Sequence, residues 1–401
     1  MGLYFQNGMV LDVEKGEFLA ADLRVDGDEI TAVTAREEGP AAKDGDTIVD
    51  CTGKYLTPGV MDAHVHLVWD GASPDPMSDT VKDGDFICFA RGVRGAYDSL
   101  KAGVTTVRDV GSNHDAAIPL ASAINRGIIE GSHVVPAGSA IQGSYGHCPM
   151  IGFIANTKEQ LIERIKRLKG YDIEMRIPPV HWAKIMASGG AAGLEDVGPC
   201  MYSPEELEAI AYEAHRLNMK VAAHALSYDA ISKCVDAGID TIEHGADLTE
   251  ELLEKMKRQG QCWVPTVGVY KCLAESRGVV ADVIVDKAIA VTEKQRAAFK
   301  KAMEIGTKII LGSDAGSANF GPHPSAFVEM FTMNEYGMPA GEVIRCATVY
   351  AANELGIGAE RGTLAAGKKA DVLVLGGNPL KDLHAFTEKL EAVYKEGHLV
   401  K

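Results

Sequence analysis

The feature that most constrains the fold is an eightfold alternation of short apolar runs with helical patterns between about residues 56 and 359. The intervening segments carry helix signals, such as the capping box that opens at Ser203. Eight such units over roughly 300 residues are typical of a (β/α)8 barrel. An open doubly wound sheet is the alternative, but we find no glycine-rich dinucleotide motif to support it. The predicted strands are residues 60–67, 105–110, 133–137, 182–187, 220–225, 241–244, 262–267 and 308–312.

Both ends of the chain have a different character. The first ~55 and last ~40 residues read as short strands separated by turn residues. Asn7-Gly8 is predicted to be a hairpin turn between strands at residues 3–5 and 9–11. We therefore predict an α/β protein: a (β/α)8 TIM barrel formed by residues 58–359, and a small β-sandwich domain formed by residues 1–57 together with 360–401.

Composition narrows the class of protein. The 40 lysines and arginines against 56 aspartates and glutamates give a net charge of −16. This balance argues against nucleic acid or an anionic membrane as a partner. The eight cysteines include no C-x-x-C pair and are expected to be reduced. Because no signal-peptide pattern and no apolar run of about 18 residues occurs, we expect a cytoplasmic enzyme with a small-molecule substrate.

Residues of the types that bind metals lie at the ends of several predicted strands. His64 and His66 end the first strand, and alternation places both imidazoles on one face. A lone H-x-H pair is weak evidence for a metal, but His224, His244 and Asp314 follow the fifth, sixth and eighth strands. Catalytic residues of barrels come from these C-terminal strand ends. The sequence therefore predicts a metal site there.

Lys184 is an unusual residue for the apolar fourth strand. Burial disfavours the ammonium and lowers the pKa of the amine toward a neutral, nucleophilic form. One interpretation is a buried stem whose ammonium reaches solvent or pairs with Asp314. Another is an amine that adds carbon dioxide to form a carbamate, which can bridge two cations as a carboxylate does. Spacing alone leaves both open.

Six segments together resemble the metal-dependent hydrolases of the amidohydrolase superfamily, and within it the prolidase-like (Xaa-Pro) dipeptidases related to imidazolonepropionase. The resemblance covers nearly the whole chain. Its segments are LTPGVMDAHVH (56–66), KIMASGG (184–190), AH (223–224), IEHG (242–245), GSDAG (312–316) and GTLAAGKKADV (362–372).

The resemblance implies a binuclear zinc site, although nitrogen and oxygen ligands also suit Mn²⁺ or Co²⁺. Two cations about 4 Å apart acidify a bridging water and polarise the scissile carbonyl. The bridging hydroxide would attack, and Asp314 would pass its proton to the departing amine. In this arrangement the ligands are His64, His66 and Asp314 for the more buried ion, His224 and His244 for the more exposed one, and Lys184, carboxylated by CO2, between them.

The resemblance also implies substrate-binding residues. His147 aligns close to the substrate carbonyl or its oxyanion, where an imidazole donor stabilises developing charge. Tyr228 aligns with a tyrosine that contacts the substrate's α-carboxylate. His323 occupies a family loop position, but its surroundings depart from the family pattern. The simpler alternatives are a loop histidine with a structural hydrogen bond for His147 and an exposed aromatic residue for Tyr228.

The leading hypothesis is hydrolysis of a C–N amide bond next to a free carboxylate, in an Xaa-Pro dipeptide, a dipeptide with a basic C-terminal residue, or an N-acyl amino acid. Bulky xenobiotic amides or carbamates, including ochratoxin-like compounds, are a related possibility. A deaminase or imidazolone hydrolase with one metal is disfavoured by Lys184. A non-catalytic scaffold is disfavoured by the intact ligand set. By the same resemblance we expect a homo-oligomer, with an octamer as one option.

Overall fold

The computed structural model describes residues 2–36, 42–174, 180–191 and 196–401. Strands and helices alternate along the middle of the chain, whereas strands dominate both ends. The strands are β1 (Leu3–Asp12), β2 (Glu17–Asp26), β3 (Glu29–Ala35), β4 (Thr47–Asp50), β5 (Tyr55–Pro58), β6 (Val60–Val65), β7 (Val104–Asp109), β8 (His133–Pro136), β9 (Ile141–Gln142), β10 (Phe153–Ile154), β11 (Trp182–Met186), β12 (Lys220–Ala225), β13 (Thr241–His244), β14 (Cys262–Val264), β15 (Lys308–Ile309), β16 (Val372–Leu375), β17 (Leu390–Lys395) and β18 (His398–Leu399).

The helices lie mainly between the strands of the middle region. The first of them is interrupted at Gly84, whose φ of 70° is not helical. The predicted capping box at Ser203 is confirmed, with Glu206 as its reciprocal partner. The helices are α1 (Pro76–Lys101), α2 (Ala117–Asn125), α3 (Lys158–Glu174), α4 (Pro204–Arg216), α5 (Tyr228–Asp236), α6 (Glu250–Gln259), α7 (Val267–Ala274), α8 (Asp282–Ile305), α9 (Ala326–Glu335), α10 (Ala340–Cys346), α11 (Val349–Glu354) and α12 (Ala385–Glu388).

The two ends of the chain build one eight-stranded sheet. Its order is β18-β17-β16-β5-β1-β2-β3, with β4 paired to β1. Strand β5 joins the two termini, since it pairs in parallel with β1 and antiparallel with β16. A separate apolar cluster that includes Leu23, Leu56 and Val372 packs on this sheet. The small β domain shared by both termini is thus confirmed, and its boundaries at 57/58 and 359/360 stay predictions.

The predicted hairpin at Asn7-Gly8 is wrong. β1 is one continuous strand, and both of its halves pair with β2. The register shifts between Phe5 and Gly8, and Asn7 has a φ of 65°. These residues therefore form a bulge. The hairpin turn lies at residues 13–16 instead.

The middle of the chain is a (β/α)8 barrel of the expected type. Strands β6, β7 and β8 pair in parallel, as do β9 and β11 to β15. The backbone of β6 also bonds to the segment after β15: Ala63 N donates to Leu311 O at 2.9 Å, and Asp314 N donates to His64 O at 2.8 Å. The eighth strand is thereby placed beside the first. All eight predicted strands are found, the last two shorter than expected.

Close packing joins the β domain to the barrel at Gly59. This residue separates β5 from β6, and a Cβ there would lie 2.0 Å from Thr105 Oγ1 in β7. Only glycine fits between the strands at this distance. The main apolar core then fills the space between strands and surrounding helices. Within the described residues, no helix has both the length and the apolar character needed to cross a membrane.

Candidate active site

Three predicted metal ligands converge at one end of the barrel. His64 and His66 lie at and just beyond the end of β6, and Asp314 lies in the segment after β15 with a φ of 63°. The Nε2 atoms of His64 and His66 lie 3.5 and 3.4 Å from Asp314 Oδ1. One donor atom from each of the three residues lies within 4.8 Å of the others. β6 and the segment after β15 thus hold two imidazoles and a carboxylate around one point.

The hydrogen bonds of these histidines suit a metal. His64 Nδ1 lies 2.6 Å from Glu243 Oε2, and His66 Nδ1 lies 2.9 Å from the carbonyl oxygen of Gly111. With each Nδ1–H donating, each Nε2 presents a lone pair toward Asp314. The buried Nε2 of His64 makes no hydrogen bond to a described residue. A buried nitrogen that lacks a hydrogen-bond partner and lies beside a carboxylate fits a Zn²⁺ ligand set. Histidines that bind a metal through one ring nitrogen usually donate a hydrogen bond from the other, as both do here.

The other predicted ligands line the same cavity but are less tightly gathered. The ring centroids of His224 and His244 are 4.6 Å apart, and those of His64 and His244 are 4.9 Å apart. His244 Nδ1 contacts Thr266 Oγ1 at 2.8 Å, whereas His224 Nε2 lies 3.1 Å from the carbonyl oxygen of Gly189. Within the described residues, only His64, His66 and Asp314 reach mutual ligand distance.

Lys184 lies in β11 with 1% of its surface exposed and lines this cavity. Burial lowers the pKa of its amine to about 8, although the carboxylates of Glu243 and Asp314 partly oppose that shift. The ammonium does not reach solvent, so the structure does not support a snorkelling lysine. An amine of this pKa is substantially neutral in mildly alkaline solution and can act as a nucleophile.

The carboxylate of Asp314 is held ionised. Burial raises its pKa, but the polar groups around it, His66, His64 and Lys184, outweigh burial and lower the pKa to about 2. A carboxylate that stays ionised in an enclosed site can bind a cation and can also accept a proton during a reaction.

A buried ion-pair network supports His64 from behind. Glu243 accepts a hydrogen bond from Arg108 Nη2 at 2.8 Å and contacts His64 with its second oxygen. Arg108 also donates to the carbonyl oxygen of Ala63 at 2.6 Å, and its guanidinium stacks on Trp182. Glu243 and Arg108 are fully buried. Glu243 lies in one of the segments that resemble the family, but the sequence assigned it no role. Arg108 was not recognised from the sequence.

Removing Arg108 tests this network. Arg108→Met leaves Glu243 as a buried carboxylate without its cation, so we expect the free energy of unfolding to fall by about 3–5 kcal/mol in urea denaturation. Arg94→Met serves as the control, because Arg94 forms an exposed pair with Asp98 and should change stability by at most about 1 kcal/mol. Equal stability of the two variants would contradict the network's role.

The three predicted substrate residues lie at different distances from the cavity. His147 lines the cavity, and its ring stacks on His224 at a centroid distance of 4.7 Å. Tyr228 opens α5 with 49% of its surface exposed, lies outside the cavity lining and borders a groove beside Leu248 and Lys294. His323 also lies outside the lining; its ring packs close to Gly95 of α1. Of the three, only His147 lines the cavity, whereas the buried ring of His323 lies behind it, next to the backbone of His66 and Trp69.

Two aromatic residues in the cavity wall were missed by sequence reasoning. Trp69 stacks on His66 at 4.0 Å, and Tyr270 of α7 meets His244 edge-on at 5.6 Å. Neither stands in a motif, so no local signal marks them. The cavity measures about 50 Å³, which leaves room for cations and water. A substrate must therefore extend beyond this space toward the mouth.

Comparisons with known proteins agree with this arrangement. A model described as the amidohydrolase family matches residues 55–400. Ochratoxinase of Aspergillus niger is 29% identical over 373 residues, which cover 86% of this chain and 75% of that protein. The crystal structure of an Xaa-Pro dipeptidase with methionine bound in its active site aligns with a TM-score of 0.88 at 27% identity, covering 100% of this chain and 99% of that one. A prolidase complexed with N-methylphosphonate-L-proline aligns at 0.87 and 28%, covering 100% of both chains.

The barrel and its buried histidine–aspartate cluster define a hydrolytic enzyme that acts on amide bonds. The chain belongs to the amidohydrolase family. The resemblance to prolidase-like members is confirmed.

Proposed function

We propose that the protein hydrolyses an amide C–N bond adjacent to a free carboxylate, in a dipeptide or an N-acyl amino acid, at a binuclear zinc site. The observation that carries the proposal is the convergence of His64, His66 and Asp314 beside the buried amine of Lys184. The similar structures of an Xaa-Pro dipeptidase and of a prolidase support this substrate class.

The cavity residues divide into two proposed ligand sets. When bound, the cations activate a water and polarise the scissile carbonyl. The proposed ligands are His64, His66 and Asp314 for one ion, His224 and His244 for the other, and the carbamate of Lys184 for both.

Asp314 is the proposed proton carrier. Its carboxylate is ionised in the resting site and lies in the cavity wall, so it can accept a proton from the attacking water. It then delivers that proton to the nitrogen of the departing amine, which leaves as a neutral product. No covalent bond between enzyme and substrate is required.

His147 is the proposed donor to the substrate oxygen. It lines the cavity and stacks on His224, one of the proposed ligands. Its position is sterically fixed, because a Cβ at Gly190 would lie 2.2 Å from the His147 ring. An imidazole N–H directed at the carbonyl oxygen stabilises the charge that develops there.

A second candidate substrate class is a bulky xenobiotic amide or carbamate of the ochratoxin-like kind. The observation that favours it is the 29% identity to ochratoxinase over 86% of this chain. Both candidate classes need the same metal chemistry, and they differ in the groups attached to the cleaved bond.

Amine release from a substrate library separates these possibilities. The zinc-loaded enzyme is incubated with Xaa-Pro, Xaa-Arg and Xaa-Lys dipeptides, with N-acyl amino acids, and with bulky aryl amides and carbamates that lack an amino-acid carboxylate. Turnover confined to dipeptides or N-acyl amino acids supports the first candidate, and turnover confined to the bulky aryl amides or carbamates supports the second. No amine release from any carboxylate-bearing amide by enzyme with bound zinc would contradict the proposed function.

Carbamate formation on Lys184 gives a pH-dependent prediction. Only the neutral amine adds CO2, and a pKa lowered to about 8 makes the neutral form increase as the pH rises through that value. We therefore expect apo-enzyme reconstituted with zinc and bicarbonate to regain activity faster at about pH 8.5 than at about pH 6.5. A matched reconstitution in CO2-free buffer should be slow at both pH values. Recovery that is independent of bicarbonate would contradict the carbamate.

A further inference from the structure

Tyr270 is a polar residue in the cavity wall with no role in the mechanism above. Only 3% of its surface is exposed, and its ring meets His244 edge-on at a centroid distance of 5.6 Å. Among the residues that the structure describes, its hydroxyl has no hydrogen-bond partner. Buried phenol hydroxyls usually have a hydrogen-bond partner. Because Tyr270 lines the cavity, its hydroxyl is available to water or to a molecule that enters there.

The neighbours of Tyr270 show which part of the cavity it serves. Four rings follow one another in contact: His147 stacks on His224 at 4.7 Å, His224 meets His244 at 4.6 Å, and His244 meets Tyr270. His147 and Tyr270 thus flank the two proposed ligands of the second ion. A substrate held beside these ligands would lie within the span of both flanking residues.

Glu329 fixes the helix that carries Tyr270. Helix α7 has no side-chain cap of its own. Its first two N–H groups, of Val267 and Gly268, instead donate to the buried carboxylate of Glu329 in α9, at 3.0 and 2.6 Å. A Cβ at position 268 would lie 3.1 Å from Glu329 Oε2 and 3.3 Å from its backbone nitrogen. Glycine permits this approach, and the carboxylate satisfies donors that would otherwise be unpaired.

The same cap leaves Thr266 free for another contact. A threonine just before a helix commonly bonds to the helix N–H groups. Here Thr266 has a left-handed backbone, with a φ of 49°, and its hydroxyl contacts His244 Nδ1 at 2.8 Å. Glu329 therefore supports both Tyr270 and, through Thr266, the ring of His244.

We propose that the Tyr270 hydroxyl donates a hydrogen bond to an acceptor oxygen of the substrate, and that Glu329 is the positioning residue that holds it there. The inference rests on the proposed function, because that function supplies two such oxygens, those of the scissile carbonyl and of the free carboxylate. A phenol is protonated near neutral pH and can donate to either.

The first test is Tyr270→Phe, which removes only the hydroxyl. We expect kcat/KM to fall about 10- to 100-fold, the range for losing one hydrogen bond to a charged or developing oxyanion. Zinc content should not change. Tyr212→Phe is the matched control, since Tyr212 is 70% exposed on α4 and should leave kcat/KM unchanged.

The division of the loss between kcat and KM identifies which substrate oxygen accepts the hydrogen bond from Tyr270. A loss mainly in KM that disappears when the substrate carboxylate is capped as an amide assigns the bond to the carboxylate. A loss mainly in kcat that persists with the capped substrate assigns it to the carbonyl. Either result supports the inference.

The second test is Glu329→Gln. Its side-chain amide can accept one N–H but presents an NH2 group to the other, so the start of α7 should shift. We expect a lower kcat/KM and an altered visible spectrum of the Co²⁺-substituted enzyme, because His244 moves with Thr266. Glu335→Gln removes an exposed pair with Lys271 between the same two helices and should alter neither readout.

The outcomes separate this inference from the proposed function. A Tyr270→Phe enzyme as active as the wild type, on a substrate that the wild type cleaves, would overturn the inference alone. An unchanged Co²⁺ spectrum and unchanged kinetics in Glu329→Gln would overturn the positioning role. A zinc-loaded wild-type enzyme inactive on every carboxylate-bearing amide would overturn the proposed function and the inference with it.

Discussion

A Lys184→Ala variant is expected to lose at least about 1,000-fold in kcat/KM and to bind about one zinc per chain instead of about two. The amine is buried among the proposed ligands, and the chain offers no other lysine in that cavity wall among its described residues. Without the carbamate, the two proposed ligand sets have no bridge between them. Metal content by atomic absorption and amine-release kinetics measure the two effects.

Small molecules can distinguish a carbamate from a simple ammonium at this position. The space left by Lys184→Ala should admit acetate, and we expect acetate, but not methylamine, to restore part of the activity. Lys308→Ala is the control, because Lys308 opens β15 and pairs with Glu354 far from the ligands. A Lys184→Ala enzyme that keeps full activity and both metals would contradict the bridging role.

An Asp314→Asn variant is expected to lose about 100- to 10,000-fold in kcat, the range for removing a general acid–base group. The amide cannot carry the proton from water to the departing amine. It also weakens the cluster, because its oxygen no longer bears the charge that faces His64 and His66. We therefore expect a lower zinc affinity, measured by competition with a chelator.

Varying the basicity of the leaving amine tests whether Asp314 transfers a proton or only binds a metal. A substrate whose amine product is weakly basic needs less protonation, so Asp314→Asn should lose less activity on a nitroanilide than on an alkyl amide. Asp247→Asn, at a surface pair with Lys294, is the control and should behave as the wild type. An equal loss on both substrates would contradict proton transfer by Asp314 and leave it only a ligand role.

The parts of the fold that were predicted correctly are those with strong local signals. Buried parallel strands are continuous apolar runs, so all eight barrel strands were placed from the sequence, and the proposed metal ligands were chosen from their positions at strand ends. Asn7-Gly8 was misplaced because the same dipeptide serves a hairpin turn or a bulge. The pairing of β1 along its whole length with β2, which no local pattern reveals, decides between them.

The rest of the site depends on contacts between distant segments. Glu243 was visible in a motif, but its role requires Arg108, 135 residues away in the chain. Glu329 and Gly268 are 61 residues apart and meet only when α7 packs beside α9. Tyr228 is next to a strand end in sequence, yet α5 begins there and directs it to a groove outside the ligand cavity. Sequence position alone could not distinguish it from Tyr270.

The most direct test of the proposed function compares two forms of one substrate. Zinc-loaded enzyme is given an N-acyl amino acid or dipeptide that it cleaves, and the same compound with its carboxylate capped as a primary amide. We predict that the free acid is cleaved at least about 10-fold more efficiently in kcat/KM, because only the free acid offers a charged acceptor to the site. Equal or faster cleavage of the capped compound would contradict a hydrolase that recognises a carboxylate next to the bond it breaks.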